Sequence, residues 1–224
     1  MTNGSPCVKL ERTIRKVEMA QQGRPRIFAE REVLDAAMQV FWRHGYEASS
    51  IALLRAATGL SSASLYGAFG SKEGLFERTV EHYIAGPGRV SELVNDLTLD
   101  PLDALDQMIH GTINMQSDSA HPGGCLVTLS ATVGAGGDDG LAARRVVTVR
   151  RVADRAGIEA CIRRGIDAGA LRDGLDPATS AILVHSFVLG ISTQLLDGVS
   201  PSALHAAAEL LLLSLSRAVR STID

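Results

Sequence analysis

Residues 50–69, Ser50-Ile51-Ala52-Leu53-Leu54-Arg55-Ala56-Ala57-Thr58-Gly59-Leu60-Ser61-Ser62-Ala63-Ser64-Leu65-Tyr66-Gly67-Ala68-Phe69, read as two short helices joined by a tight turn. Ser50 is an N-cap residue whose hydroxyl can accept one of the orphan amides of a first helix running to Thr58. Gly59 supplies the positive φ that a sharp turn demands, and Leu60 follows as a plug for the angle between the helices. Ser61 caps the second helix, which runs to about Phe69. At 100° per residue Leu65 and Phe69 share an inward face with Ala68. Ala63 and Gly67 lie at the centre of the outward face, flanked by Ser64 and Tyr66. That face is small, polar and uncharged, a shape that enters a DNA major groove without steric penalty. Two short helices joined by glycine also occur in proteins that never touch DNA, so the flanking sequence has to decide.

Working outward, Val33, Leu34, Ala37, Val40 and Phe41 recur at helical spacing before Gly45, which stops that helix. On the other side Gly70 ends the second short helix and Ser71-Lys72-Glu73 opens a fourth. Its apolar face is Leu75, Phe76, Val80, Tyr83 and Ile84, and Gly86-Pro87-Gly88 marks the end of the block.

Beyond residue 87, Asp100-Pro101, Asp176-Pro177 and Ser200-Pro201 each read as an N-cap with proline at the first helical position. The predicted helices cover 101–116, 125–134, 139–169, 177–197 and 201–220, with joints at His121 to Gly124 and Gly134 to Gly140. No strand-type alternation persists, so the fold class is all-α with about nine helices. The 177–197 helix carries Ile182, Leu183, Val184, Phe187, Val188, Ile191, Leu195 and Leu196, and the last helix Leu204, Leu210 to Leu213 and Leu215. Helices apolar nearly all round are buried on two sides, which predicts a homodimer through the last two helices.

The bulk numbers bound the function. A chain of 224 residues with 46% hydrophobic content supports a sizeable core. Its net charge of −3 is divided unevenly: residues 1–86 hold 11 basic and 9 acidic side chains, residues 87–224 hold 11 and 16. A basic N-terminal part beside an acidic remainder suits a module that meets nucleic acid. Cys7, Cys125 and Cys161 show no CxxC or Cys/His ligand spacing, which predicts neither disulfide framework nor metal site, and no cofactor motif stands out. The stretch Ala206 to Leu213 is too short to span a bilayer, and the first 20 residues are charged throughout. The expectation is a cytoplasmic protein with no membrane partner.

The order of residues from Arg24 to Ala85 resembles the DNA-binding domain of the TetR/AcrR family of transcriptional regulators. The matching residues are Ala36-Ala37, Phe41 and Gly45-Tyr46, then Ser50-Ile51, the turn Ala57-Thr58-Gly59-Leu60-Ser61, Leu65-Tyr66, Phe69 and Ser71-Lys72-Glu73 with Leu75. The resemblance implies an N-terminal three-helix helix-turn-helix domain at 24–86, joined to a larger helical effector-binding and dimerisation domain at 87–224. It implies double-stranded DNA with a palindromic operator as one partner and a small-molecule effector as the other. Family positions matched by Tyr66 and Lys72 touch the phosphate backbone. Ser50 and Ser64 are further phosphate candidates, with capping or solvation as their competing role.

Two departures narrow the reading face. Gly67 stands where the family often has a large side chain, and Ala63 offers only a methyl. Specificity is therefore expected from Ser62 near the helix start, a methyl contact from Ala63, and DNA shape, with Ser61 and Gly67 as further DNA-binding candidates. Arg55 replaces a usual alanine and either reaches a phosphate or is solvated. Arg24-Pro25-Arg26 forms a stiff basic arm of the kind that enters a minor groove, with a disordered basic leader as the alternative. Residues 1–23 are a basic extension; Met19 sits close enough to the arm that residues 1–18 read either as an extension or as a misassigned start.

Residues 87–224 carry no motif that names a ligand. Candidate effector-pocket residues are Met108, His110, Met115, Cys125, Cys161 and Phe187. Cys125, after Gly123-Gly124, opens a predicted helix whose dipole would favour a thiolate; an inert buried cysteine is the alternative. His110, His121 and Cys125 lack diagnostic metal-ligand spacing. The functional expectation is a repressor released from its operator by an effector. The competing readings are a helical enzyme using the same pocket, and a constitutive DNA binder with no effector.

Overall fold

A computed structural model describes residues 25–130 and 138–216, and side chains within 30–130 and 140–216. Among the described residues there are nine α-helices and one 3₁₀ segment, with no named strand. The helices are α1 (Pro25–Ala48), α2 (Ile51–Thr58), α3 (Ser62–Phe69), α4 (Lys72–Ala85), α5 (Pro101–Ser117), α6 (Leu126–Leu129), α7 (Asp138–Asp167), α8 (Pro177–Leu196) and α9 (Pro201–Leu215). The 3₁₀ segment, Pro87–Asn95, lies between α4 and α5.

The local signals act as expected. Ser50, Ser61 and Ser71 each accept an amide hydrogen bond at the head of α2, α3 and α4, from Leu53, Ser64 and Gly74. Gly59 adopts φ 70°, ψ 5°, and its amide closes the turn on the Arg55 carbonyl. Asp100, Asp176 and Ser200 cap α5, α8 and α9 ahead of their prolines. Inside α1, Gly45 leaves helical geometry at φ 70°, ψ 174°. The kink turns the Tyr46 amide toward the Ser130 carbonyl, 2.8 Å away at the end of α6.

Two buried clusters hold the elements together. In the first, Phe41 and Tyr46 stack at 6.0 Å between ring centroids, and Phe76 meets them edge-on at 5.0 and 5.1 Å. Such ring pairs add to the ~1.5–3 kcal/mol that burying a large apolar side chain contributes. This cluster does not stop at residue 86: Leu126 and Val127 of α6, and Ala143 and Val147 of α7, belong to it. The helix-turn-helix block thus shares its core with the C-terminal body. The second cluster, including Leu105, Ile109 and Ile162, lies wholly within the body.

Three elements depart from the sequence reading. Pro87–Asn95 forms a 3₁₀ helix where the Gly-Pro-Gly pattern announced only a break, because Val94 is buried and Gly88 packs under Tyr83. A Cβ on Gly88 would lie 2.5 Å from the Tyr83 ring, so that approach requires glycine. The helix expected over 125–134 is the single turn Leu126–Leu129; residues 131–137 lie outside the described residues. Ala68, placed inward on the wheel, is exposed, because the short α3 rests on its neighbours through Leu65 and Phe69 alone.

Candidate DNA interface and effector cavity

The outward face of α3 is built by its cap and two anchors. The Ser61 hydroxyl accepts the Ser64 amide at 3.1 Å and pairs with the Ser64 hydroxyl at 3.0 Å, which fixes the helix start. Leu65 is buried and Phe69 half-buried, which turns Ala63, Ser64, Tyr66 and Gly67 outward; Ser62 is half-buried. Tyr66 is 44% exposed, and a Cβ placed on Gly67 meets nothing within 4 Å. The centre of this face is therefore open space with no side chain able to form a bidentate base contact. Ser50 is exposed and its hydroxyl accepts the Leu53 amide at 3.2 Å. Each of Ser50, Ser61 and Ser64 has a structural partner, and each hydroxyl stays at the surface.

Lys72, the first residue of α4, lies 4.2 Å over the Tyr46 ring centroid, and its Nζ donates to the Glu47 carbonyl at 3.5 Å. These contacts carry the ammonium across the mouth of the block, beside the N-terminus of α4, where free amides favour an anion. Arg55 is exposed on the last turn of α2. Arg24, and the side chain of Arg26, lie outside the described residues.

The far end of α4 lines a second site. Tyr83 forms one wall of a cavity of about 50 Å³, with Met108, Thr112, Met115, Gln116 and Cys125 among its other walls. The Tyr83 hydroxyl donates to Cys125 Sγ at 3.5 Å and lies 3.7 Å from Met115 Sδ. Burial pushes the phenol well above its ordinary range. From α7, Arg151 and Asp154 reach the cavity, and from α8, His185. Arg151 donates to the Val127 and Thr128 carbonyls at 2.7 and 3.3 Å, so it ties α7 to α6. Burial raises the Asp154 carboxyl even though Arg150 pairs with it at 2.5 Å. Burial, reinforced by Arg155 and Arg151, lowers His185. Ser192 donates to Gln116 at 2.7 Å and accepts the Cys125 amide at 3.2 Å, joining α8, α5 and the head of α6.

Of the pocket candidates read from sequence, Met108, Met115 and Cys125 stand together at this cavity. His110, Cys161 and Phe187 do not. His110 lies between α5 and α9, with His205 at 2.5 Å. Cys161 is buried in the second cluster with its thiol at the Pro101 carbonyl, and Phe187 packs half-buried on the same cluster. His121 stacks on Trp42 at 4.5 Å between ring centroids. Cys125 heads a helix of only one turn, so the dipole invoked for its thiol is that of one turn. Sequence reading missed Tyr83, Arg151, Asp154 and His185 as lining residues. Tyr83 was already assigned to the core face of α4, and nothing local distinguishes a core position from a cavity wall.

A capped helix-turn-helix carried on an all-helical body defines a class of DNA-binding regulators, and comparison with known proteins narrows it. Residues 33–79 match the family described as bacterial regulatory proteins, tetR family, and residues 101–211 match the tetracyclin repressor-like C-terminal domain. The chain belongs to the TetR family. Among solved structures, the TetR family transcriptional regulator CifR, as a cysteine mutant complexed with 26-base-pair double-strand operator DNA, is 31% identical with a TM-score of 0.75. That likeness covers 82% of this chain and 95% of CifR. Two repressors of Escherichia coli K12 match over shorter stretches. ComR is 43% identical over 83 residues, 37% of this chain and 35% of ComR. BdcR is 39% identical over 71 residues, 32% of this chain and 36% of BdcR. The chain thus spans about a third of the length of these two relatives.

Proposed function

We propose that the protein is a ligand-responsive transcriptional repressor, cytoplasmic and without enzymatic activity, that binds a palindromic double-stranded operator as a homodimer and leaves it when a small molecule occupies the cavity. The observation that carries this reading is α4: it opens at Lys72 and packs on α3, and Tyr83 near its tail walls the cavity. A helix moves as one piece, so a displacement at Tyr83 shifts the mouth of the helix-turn-helix block. In this reading Tyr66, Lys72, Ser50, Ser64 and the Arg24/Arg26 arm hold phosphates or the minor groove. Ser61, Ser62, Ala63 and Gly67 lie against base edges. The relatives support it, since CifR is complexed with operator DNA and ComR and BdcR are repressors.

The cavity is small for this role. About 50 Å³ holds a water or two, whereas small-molecule sites run to roughly 300–1,000 Å³. An effector enters only by moving the walls, and Met108, Met115 and Tyr83 are the walls that yield. That requirement links occupancy to movement of α4.

Dimerisation is supported by apolar surface left over after folding. Ile182 and Leu183 on α8, and Leu210 and Leu213 on α9, are each more than half exposed. By length and composition α8 could cross a membrane. It is instead packed on α7, α5 and α9 with Ser180, His185 and Ser192 buried, and a second copy covers its outer face. The test is a mobility shift of the full chain on DNA from upstream of its own gene, across a salt series. Sequence-selective, salt-weakened retardation is the expected result, and retardation indifferent to sequence and salt would count against operator binding.

A further inference from the structure

On the flank of the body, away from the cavity, four side chains of ligand type meet across the seam between α5 and α9. Asp106 and His110 stand four residues apart on α5, and His205 and Glu209 four apart on α9, so each pair shares one helix face. His110 Nε2 lies 3.1 Å from Glu209 Oε1 and 3.5 Å from Asp106 Oδ1. All three ligand atoms fall within 4.8 Å of one another. His110 Nδ1 is 2.5 Å from His205 Nδ1, and His205 Nε2 is 3.0 Å from Asn114 Oδ1.

We propose that Asp106, His110 and Glu209 form a binding site for a first-row divalent cation of the zinc type, with His205 as the residue that orients His110. The hydrogen-bond chain supplies the physical reason. Asn114 Oδ1 accepts, so His205 Nε2 carries a proton and His205 Nδ1 is an acceptor. His110 Nδ1 therefore donates to it, and His110 Nε2 is left with a bare lone pair aimed at two carboxylates. Three electron-pair donors then converge on one point, an arrangement a cation stabilises. If the Asn114 amide is turned over, the chain runs in reverse and Nε2 carries the proton; metal binding then requires the amide to turn back and both imidazoles to change tautomer, so that His110 keeps its proton on Nδ1.

The spacing fits. Zinc bonds of about 2.1 Å in a tetrahedron separate their ligand atoms by about 3.4 Å, close to the two distances found. One imidazole with two carboxylates is a borderline-to-hard donor set, suited to zinc, manganese, iron or cobalt rather than to a thiophilic ion. The ligating imidazole gives its other ring nitrogen to a partner, as metal-bound histidines do. Buried neighbours on each helix, Leu105 and Ile109 on α5, Leu204 and Ala208 on α9, hold the frame. The exposed Glu209 and half-buried Asp106 leave a path for the ion and room for a water as fourth ligand.

The test uses untagged full-length protein, stripped with a chelator and titrated calorimetrically with zinc chloride. It is run beside Asp106→Asn, His110→Gln, Glu209→Gln, His205→Ala and, as a remote control, His44→Gln. The wild type and the control are expected to take up one zinc per chain. The three ligand variants should bind at least about tenfold more weakly, and His205→Ala about 10- to 100-fold more weakly. Glu209 is the most exposed of the set, so Glu209→Gln keeps the fold, which unchanged helical circular dichroism in chelator checks. Cobalt in place of zinc should give ligand-field bands without a thiolate charge-transfer band. Absence of stoichiometric uptake would leave only the His110–His205 hydrogen bond beside two carboxylates and overturn the proposal. Uptake unchanged in Glu209→Gln, or a thiolate band pointing to the cysteines, would overturn it too.

Discussion

The α2–α3 block and the α5–α9 body are both helical, yet they are specified by different physics. In the block, serine caps and positive-φ glycines set each boundary within a few residues of chain, and two anchors, Leu65 and Phe69, aim the outward face. In the body, the cavity walls come from α4, the 3₁₀ segment, α5, α6, α7 and α8, so no short stretch encodes them. A surface meant for a regular polymer is built from local rules. The cavity proposed to take a small molecule is built from long-range packing. The two meet in one aromatic cluster around Phe41, Tyr46 and Phe76 that also contains α6 and α7 side chains.

The most severe way to break this contrast is Phe76→Ala, which empties the shared cluster. A loss of about 3–5 kcal/mol is expected, seen as a single thermal transition moved down for the whole chain. A body transition left in place while the block melts alone would show that the two regions do not share a core. Gly59→Ala tests the local rule by itself. At φ 70° with open space around the site, the expected cost is conformational, about 1–2 kcal/mol, and DNA binding should weaken with it.

Ser61→Ala should remove about 1 kcal/mol of stability through the lost cap, measurable by chemical denaturation. Unchanged stability would show that the Ser61 hydroxyl does not hold the helix start as a cap. The smallest effect concerns protons. Burial, with Arg155 and Arg151 nearby, holds the pKa of His185 below its ordinary 6.5, so the folded chain binds fewer protons than the unfolded chain below that pH. Stability should therefore fall as pH drops from 6.5 toward the folded value. His185→Gln should flatten that part of the profile, and an unaltered slope would contradict the assignment.

What was legible in the sequence follows the same division. Caps at Ser50, Ser61, Ser71, Asp100, Asp176 and Ser200, and the breaks at Gly45 and Gly59, were readable because each is decided by a residue and its near neighbours. The 3₁₀ helix after Gly86 was not, because its formation depends on Val94 finding the core and Gly88 finding Tyr83. Ala68 misled because a helical wheel assumes a broad supporting surface. In the body, Met108, Met115 and Cys125 were placed by residue type, while Arg151, Asp154 and His185 were missed because burying a charged group depends on partners far along the chain. The Asp106/His110 and His205/Glu209 spacings stood in plain sight on two helices, but only folding brings them face to face.

α3 presenting a DNA-reading face on a two-fold dimer can be checked most directly by selecting duplexes from a random pool with the full-length protein, then titrating the winners against salt with wild type and Lys72→Gln. Two related half-sites are expected about 10–10.5 base pairs apart, or a multiple of that. Affinity should fall linearly with log salt, with a slope reduced by about 1 in the variant and base preference unchanged. Failure to enrich any sequence, or a Lys72→Gln change that alters base preference while leaving affinity and salt slope intact, would contradict that role of α3.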